Sequence, residues 1–207
     1  MEKLKELGVI PIDYAVLRSF FFNYDYPRNK IANLEHDGKI IRLKKGLYVV
    51  SPDTSLKLLS VELIANHIYG PSYVSMESAL RYYGLIPEQV YTVRSMTTNR
   101  SKKFENSIGY FEYITTNKDY YSIGIKLETV ENEYTFLIAT PEKALCDMIT
   151  ATPGLKIQSI KALKEYLEDD LRFDISGLNM DMGIIRKCIE TGKKKETLKL
   201  LLKLLQR

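Results

Sequence analysis

Apolar residues recur along this chain with two different periods, and the switch between them divides it. Leu17, Phe20 and Phe21 fall at i, i+3, i+4, so the spacing predicts a helix over 14–22, with Asp13 as its N-cap. Asn23-Tyr24-Asp25 reads as a turn. Pro27 suits the first position of a further helix, because its fixed φ is already helical and its missing N–H has no partner there anyway. Ile31 and Leu34 supply that helix's buried face, and Asp37-Gly38 stops it. Two short β-prone runs follow, Ile40 to Leu43 and Leu47 to Val50, around Lys44-Lys45-Gly46, which is a hairpin signal. Helix, turn, helix and a basic hairpin come in the order of a winged helix-turn-helix.

Ser51-Pro52-Asp53 reads as a linker. A helix from Leu56 to Tyr69 then uses Leu59, Leu63 and Ile64, and Ser75 caps another over 76–83. From 89 to 139 the period becomes two, predicting strands at Val90 to Thr98, Gly109 to Thr116, Gly124 to Val130 and Tyr134 to Ala139. Ser101 to Ser107 is expected to be a polar loop. Thr140 and Pro141 open a helix with Ala144, Leu145, Met148 and Ile149 on its apolar face. Three more helices are expected, about 159–167, 181–191 and 194–205. The last carries Leu198, Leu201, Leu202 and Leu205 on one stripe, with Lys199 and Lys203 on another face. The expected fold class is α+β, with a winged unit over 1–51 and a larger mixed domain over 52–207, its sheet mainly antiparallel and its end helical.

The 207 residues carry a formal net charge of +4, which matters less than its placement. Between 27 and 48, Arg28, Lys30, Lys39, Arg42, Lys44 and Lys45 outweigh Glu35 and Asp37. Between 186 and 207, Arg186, Lys187, Lys193, Lys194, Lys195, Lys199, Lys203 and Arg207 outweigh Glu190 and Glu196. Both segments suit a polyanion. If Ile31 and Leu34 face inward, Arg28, Asn29, Lys30 and Asn33 project outward. Arg can pair with guanine and Asn with adenine, while Arg42, Lys44 and Lys45 on the hairpin would hold flanking phosphates.

Enzyme chemistry finds little to stand on. His36 and His67 have no metal-ligand spacing, and no phosphate-binding, nucleophile-elbow or zinc-protease motif occurs. Glu112, Glu128, Glu131 and Glu133 lie in the β region; as strand carboxylates they read as solvent-facing, with a Mg²⁺-dependent nuclease as the other reading. Cys146 reads as a small core hydrophobe. Two cysteines, a polar N-terminus and no apolar run near ~20 residues set the expectation of a cytoplasmic protein without membrane or cofactor.

Three stretches carry a resemblance. They are Lys39-Ile40-Ile41-Arg42-Leu43-Lys44-Lys45-Gly46-Leu47-Tyr48, then Ser72-Tyr73-Val74-Ser75-Met76-Glu77-Ser78-Ala79-Leu80 leading to Tyr83-Gly84-Leu85, and Ile138-Ala139-Thr140-Pro141-Glu142-Lys143-Ala144-Leu145-Cys146-Asp147. In this order they resemble the AbiEi-type antitoxins of type IV toxin–antitoxin and phage abortive-infection systems, over nearly the whole chain. The resemblance implies a winged helix that binds inverted repeats in its own promoter as monomer or weak dimer, cooperatively. It implies a C-terminal antitoxin domain and a nucleotidyltransferase-like toxin as functional partner. DNA contact carries over to Arg42, Lys44 and Lys45, then to Arg28, Asn29, Lys30 and Asn33. The competing reading is a protein–protein module that binds such a toxin, with DNA binding vestigial.

Overall fold

The protein is described from a computed structural model over residues 2–87, 91–173 and 180–206. It is a mixed α+β structure with two sheets. The chain opens with α1 (Glu2–Lys5), β1 (Ile12–Asp13), α2 (Tyr14–Ser19), α3 (Pro27–His36), β2 (Ile40–Lys44) and β3 (Leu47–Val50). The three strands pair antiparallel in the order β1-β3-β2. Pro27 is the first residue of α3, and the helix ends on Gly38 at φ +66. The Gly38 and Lys39 amides donate back to the Glu35 and Leu34 carbonyls, so two otherwise orphan acceptors are satisfied.

Val50 and Tyr48 on β3 face Leu17, Ile31, Leu34 and Ile40 in a small core of their own. Leu47 and Val49 point the other way, into the large core of the molecule, together with Leu43. Alternate residues of a strand face opposite sides, so a strand covered on both faces reads as the unbroken apolar run Leu47-Tyr48-Val49-Val50. The hairpin is thus a wall between two cores.

Then come α4 (Pro52–Ser55), α5 (Val61–Ile68), β4 (Ser72–Val74), α6 (Met76–Tyr82), β5 (Thr92–Thr97), β6 (Lys102–Asn106), β7 (Gly109–Thr115), α7 (Lys118–Tyr121), β8 (Ile125–Val130) and β9 (Tyr134–Ala139). The strands form one sheet, β6-β7-β5-β4-β9-β8. The pairings β6–β7, β4–β5 and β8–β9 are antiparallel; β5–β7 and β4–β9 are parallel, so the sheet is mixed. Helices α8 (Pro141–Ala151), α9 (Ile160–Glu165), continued by a π-turn over Tyr166–Asp170, α10 (Met182–Thr191) and α11 (Lys195–Leu205) complete the chain. Thr140 caps α8 by accepting from the Lys143 amide. On α11, Leu198, Leu201 and Leu204 are buried, while Leu202 and Leu205 are half-buried.

Several expectations change. The expected loop 101–107 contains the edge strand β6, whose one apolar residue, Phe104, packs against the core while the rest are polar. The expected linker holds α4, and the helix expected from Leu56 begins at Val61, because Leu56 adopts φ +60 and breaks the run. Strands β1 and β4, of two and three residues, are too short for a period to show. Asp13 and Ser75 occupy N-cap positions but make no capping bond. Val90, expected to start a strand, lies outside the described residues, as does Arg207 of the basic terminal segment.

Candidate nucleic-acid interface

Helix α3 spends two positions on its core and the rest on solvent. Ile31 and Leu34 are buried, and this rotates Arg28, Asn29 and Asn33 to the exposed surface. Lys30 is half-buried; its ammonium lies 5.5 Å from the centroid of the Tyr24 ring, a cation–π contact that steadies it beside the others. Phe22 and Tyr26, each 72% exposed, flank the start of the helix. On the hairpin, Arg42 and Lys45 are exposed. Arg28, Arg42 and Lys45 have no ion-pair partner among the described residues, so their charge is open to an incoming anion.

Lys44 behaves differently from its neighbours. Its ammonium donates to the Ile68 carbonyl at 2.6 Å, at the C-terminal end of α5, where the helix dipole is negative. The Asn106 amide donates to the Leu43 carbonyl at 3.0 Å and ties β2 to β6. The hairpin is therefore moored to the larger sheet, and Lys44 is one of its moorings. Lys44, expected as a phosphate contact, thus has its ammonium engaged at a helix end as well. The signal was beyond reach in sequence, since Lys44 closes β2 and Lys45 opens the turn one residue later, a difference no local pattern marks.

The two other stretches that carried the resemblance meet in the large core. Lys143 and Asp147, both with fully buried side chains, face each other one turn apart on α8 at 2.9 Å. The Tyr73 and Ser75 hydroxyls donate to the same Asp147 oxygen at 3.0 and 2.6 Å. Lys143 also donates to the Tyr120 carbonyl at 3.1 Å and lies against that ring. Burial, then the Asp147 carboxylate, pushes both tyrosine hydroxyls well above their ordinary pKa. Cys146 is buried beside Cys188; the hydrogen bond between the two thiols, and then burial, raises its pKa. The Cys146 thiol is therefore held un-ionised, as a core residue.

A second network lines a groove of about 480 Å³ whose walls include Met76, Arg94, Glu112 and Thr152. Arg94 bonds Glu77 at 2.9 Å and Glu112 at 3.0 Å, and Lys103 reaches Glu112 at 2.8 Å. The Lys103 hydrogen bond, with Arg94 beside it, holds the Glu112 carboxyl below its ordinary range despite partial burial. Glu128 pairs with Lys126 and Glu133 with Lys57. Glu112 on β7 and Glu128 on β8 have three strands between them, roughly 19 Å at ~4.8 Å per strand. They cannot share one metal ion, and among the described residues no group of three His, Cys, Asp or Glu forms a metal-binding cluster.

No family model matches this chain, and no curated protein does. Among solved structures, it is similar to the crystal structure of RV2827C protein from Mycobacterium tuberculosis, with a TM-score of 0.53 and 14% identity, covering 98% of this chain and 79% of that one. The likeness is one of fold. The alignment spans nearly the whole length of this chain. Among the described residues no helix is long and apolar enough to cross a membrane.

Of the seven residues named from sequence, Arg28, Asn29, Asn33, Arg42 and Lys45 are thus exposed around α3 and the hairpin, while Lys30 and Lys44 are half-buried. Sequence reasoning passed over the charged pair on α8, reading that helix only for its apolar positions. The i, i+4 spacing of Lys143 and Asp147 was the signal, and a Lys on the buried face of a helix asks for a partner.

Proposed function

We propose that this chain is an antitoxin and transcriptional autorepressor of a toxin–antitoxin, phage-defence operon, acting in the cytoplasm without a cofactor. The observation that carries the DNA-binding half is the N-terminal arrangement α1-β1-α2-α3-β2-β3 with strand order β1-β3-β2. This order supports reading the unit as a winged helix-turn-helix, with α3 in the role of recognition helix and β2–β3 in that of the wing. In this reading 1–51 is the DNA-binding unit and 52–207 the antitoxin domain. Arg28, Asn29 and Asn33 read base edges in the major groove, and Lys30, Arg42 and Lys45 hold phosphates. Two copies on an inverted repeat supply the specificity that one half-site lacks. The antitoxin half is supported by the resemblance in 72–85 and 138–147, which implies a nucleotidyltransferase-like toxin as functional partner.

The test is binding of the full chain to its own upstream duplex against scrambled DNA across a salt series. Arg42→Ala with Lys45→Ala should flatten the slope of log affinity against log salt by about 2, one for each lost phosphate contact. An unchanged slope removes the wing assignment. Relief of toxicity on co-expression with the neighbouring gene product checks the other half.

A second reading, a protein-docking module, draws on the exposed Leu56 and Leu58, 78% and 88% accessible in the loop after α4. Co-purification with the toxin at micromolar concentration, lost on Leu56→Ser with Leu58→Ser, would favour it.

A further inference from the structure

The mooring of the hairpin places a second basic group beside it. Lys44 bonds the Ile68 carbonyl, and the next residue, Tyr69, is the platform for Lys102, whose ammonium lies 5.6 Å from the Tyr69 ring centroid and 4.9 Å from that of Phe104. The Tyr69 hydroxyl in turn donates to the Arg100 carbonyl at 3.2 Å. Asn99 donates to the Gly70 carbonyl at 3.0 Å. The segment from Asn99 to Lys102 is thus pinned against the end of α5 on which Lys44 also rests.

The charges in this segment are uncompensated on one side. Lys102 shares its face of β6 with Phe104 and Asn106, while Lys103 and Glu105 point to the other, where Lys103 is neutralised by Glu112. Arg100 and Lys102 are exposed and have no ion-pair partner among the described residues. Asn106, on the Lys102 face, is the residue that ties β6 to the hairpin. Two exposed cations therefore sit near the turn end of the hairpin, Lys102 on β6 with two aromatic rings beside it and Arg100 in the segment before that strand.

We infer that Arg100 and Lys102 belong to the same polyanion-binding face as the wing and contact phosphates of duplex DNA beyond the stretch addressed by α3. This rests on the reading of the N-terminal unit as a DNA-binding module. It enlarges that reading, because it makes the larger domain part of the footprint. Both contacts would be to backbone, so they add affinity on every sequence and leave base preference unchanged.

The experiment uses the full chain and fluorescence anisotropy with a labelled upstream duplex and a scrambled duplex, from low to physiological salt. Arg100→Ala with Lys102→Ala should flatten the log–log salt slope by about 2 on both duplexes and keep the ratio of their affinities. Arg100→Lys with Lys102→Arg should retain the slope. Lys57→Ala with Lys126→Ala removes the same charge at the far edge of the sheet and should leave the slope as in the parent. If the parent binds and the Arg100, Lys102 variant keeps its slope, the inference falls and the winged reading stands. It falls equally if the far-edge variant flattens the slope as much, since net charge alone would then account for the effect. If the parent binds neither duplex in a salt-dependent manner, both fall.

Discussion

Lysine 143 and arginine 28 both sit on helices near the helix start, yet they live in opposite worlds. Lys143 is sealed in the large core with Asp147, two hydroxyls and a ring around it. Arg28 stands in water on a helix whose other side is a small core, with no ion-pair partner among the described residues. The same contrast recurs one residue apart on the hairpin, where Lys44 is tied to α5 and Lys45 is free. A charge taken out of water is strongly unfavourable unless its partner is in place, so buried charges specify architecture. A charge left in water costs the fold nothing and stays available for a ligand. The molecule separates these two states of charge by region: exposed cations around α3 and the hairpin, a sealed pair on α8.

The largest effect expected from this contrast is on stability. Asp147→Ala leaves the Lys143 ammonium buried without its carboxylate and strips Tyr73 and Ser75 of their acceptor. Loss of one member of a buried pair costs about 3–5 kcal/mol, measurable as a shift of the urea midpoint. Lys143→Met together with Asp147→Asn should recover much of that loss, because no net charge is then buried and the hydroxyls keep an acceptor. If Asp147→Ala unfolds at the parent's midpoint, the pair does not hold the core together.

Surface substitutions should show the converse. Arg28→Ala is expected to weaken binding to the upstream duplex by about 1–3 kcal/mol, through one lost base or phosphate contact, with the melting temperature unmoved. Lys44→Met should invert this pattern: about 1 kcal/mol of stability lost with the bond to the Ile68 carbonyl, and a salt slope equal to the parent's. Should Lys44→Met flatten the slope as Lys45→Ala does, the division between moored and free cations is wrong at the residue where it is sharpest.

How far the sequence carried can be judged from the same residues. The helices from α8 onward, the Thr140 cap, the hairpin and α3 with its Pro27 start and Gly38 stop were legible, because each is set by local chemistry: a period, a cap, a fixed φ. Strand β6 was not, since an edge strand with one wet face has nearly the composition of a loop. The site was half legible. Exposure of Arg28, Asn29 and Asn33 follows from the burial of Ile31 and Leu34 on the same helix. The fate of Lys44 and the placing of Arg100 and Lys102 follow from contacts between segments more than twenty residues apart, and no local pattern encodes them.

The smallest effect sharpens the comparison at an intermediate case, the partly buried Glu112. Its carboxylate is held below the ordinary range by Lys103 and Arg94, so the folded state releases this proton more readily than the unfolded chain. The unfolded state therefore binds more protons between the two pKa values, and stability rises with pH across that window. The contribution is complete above the unfolded carboxylate value and is lost as pH falls through the folded one. Glu112→Gln should consequently lower the urea midpoint near neutral pH and match the parent in strong acid, with the two curves converging over the acidic window. A gap of constant size at every pH would mean that Glu112 acts through packing in the groove and not through its charge. It would then belong with neither Lys143 nor Arg28.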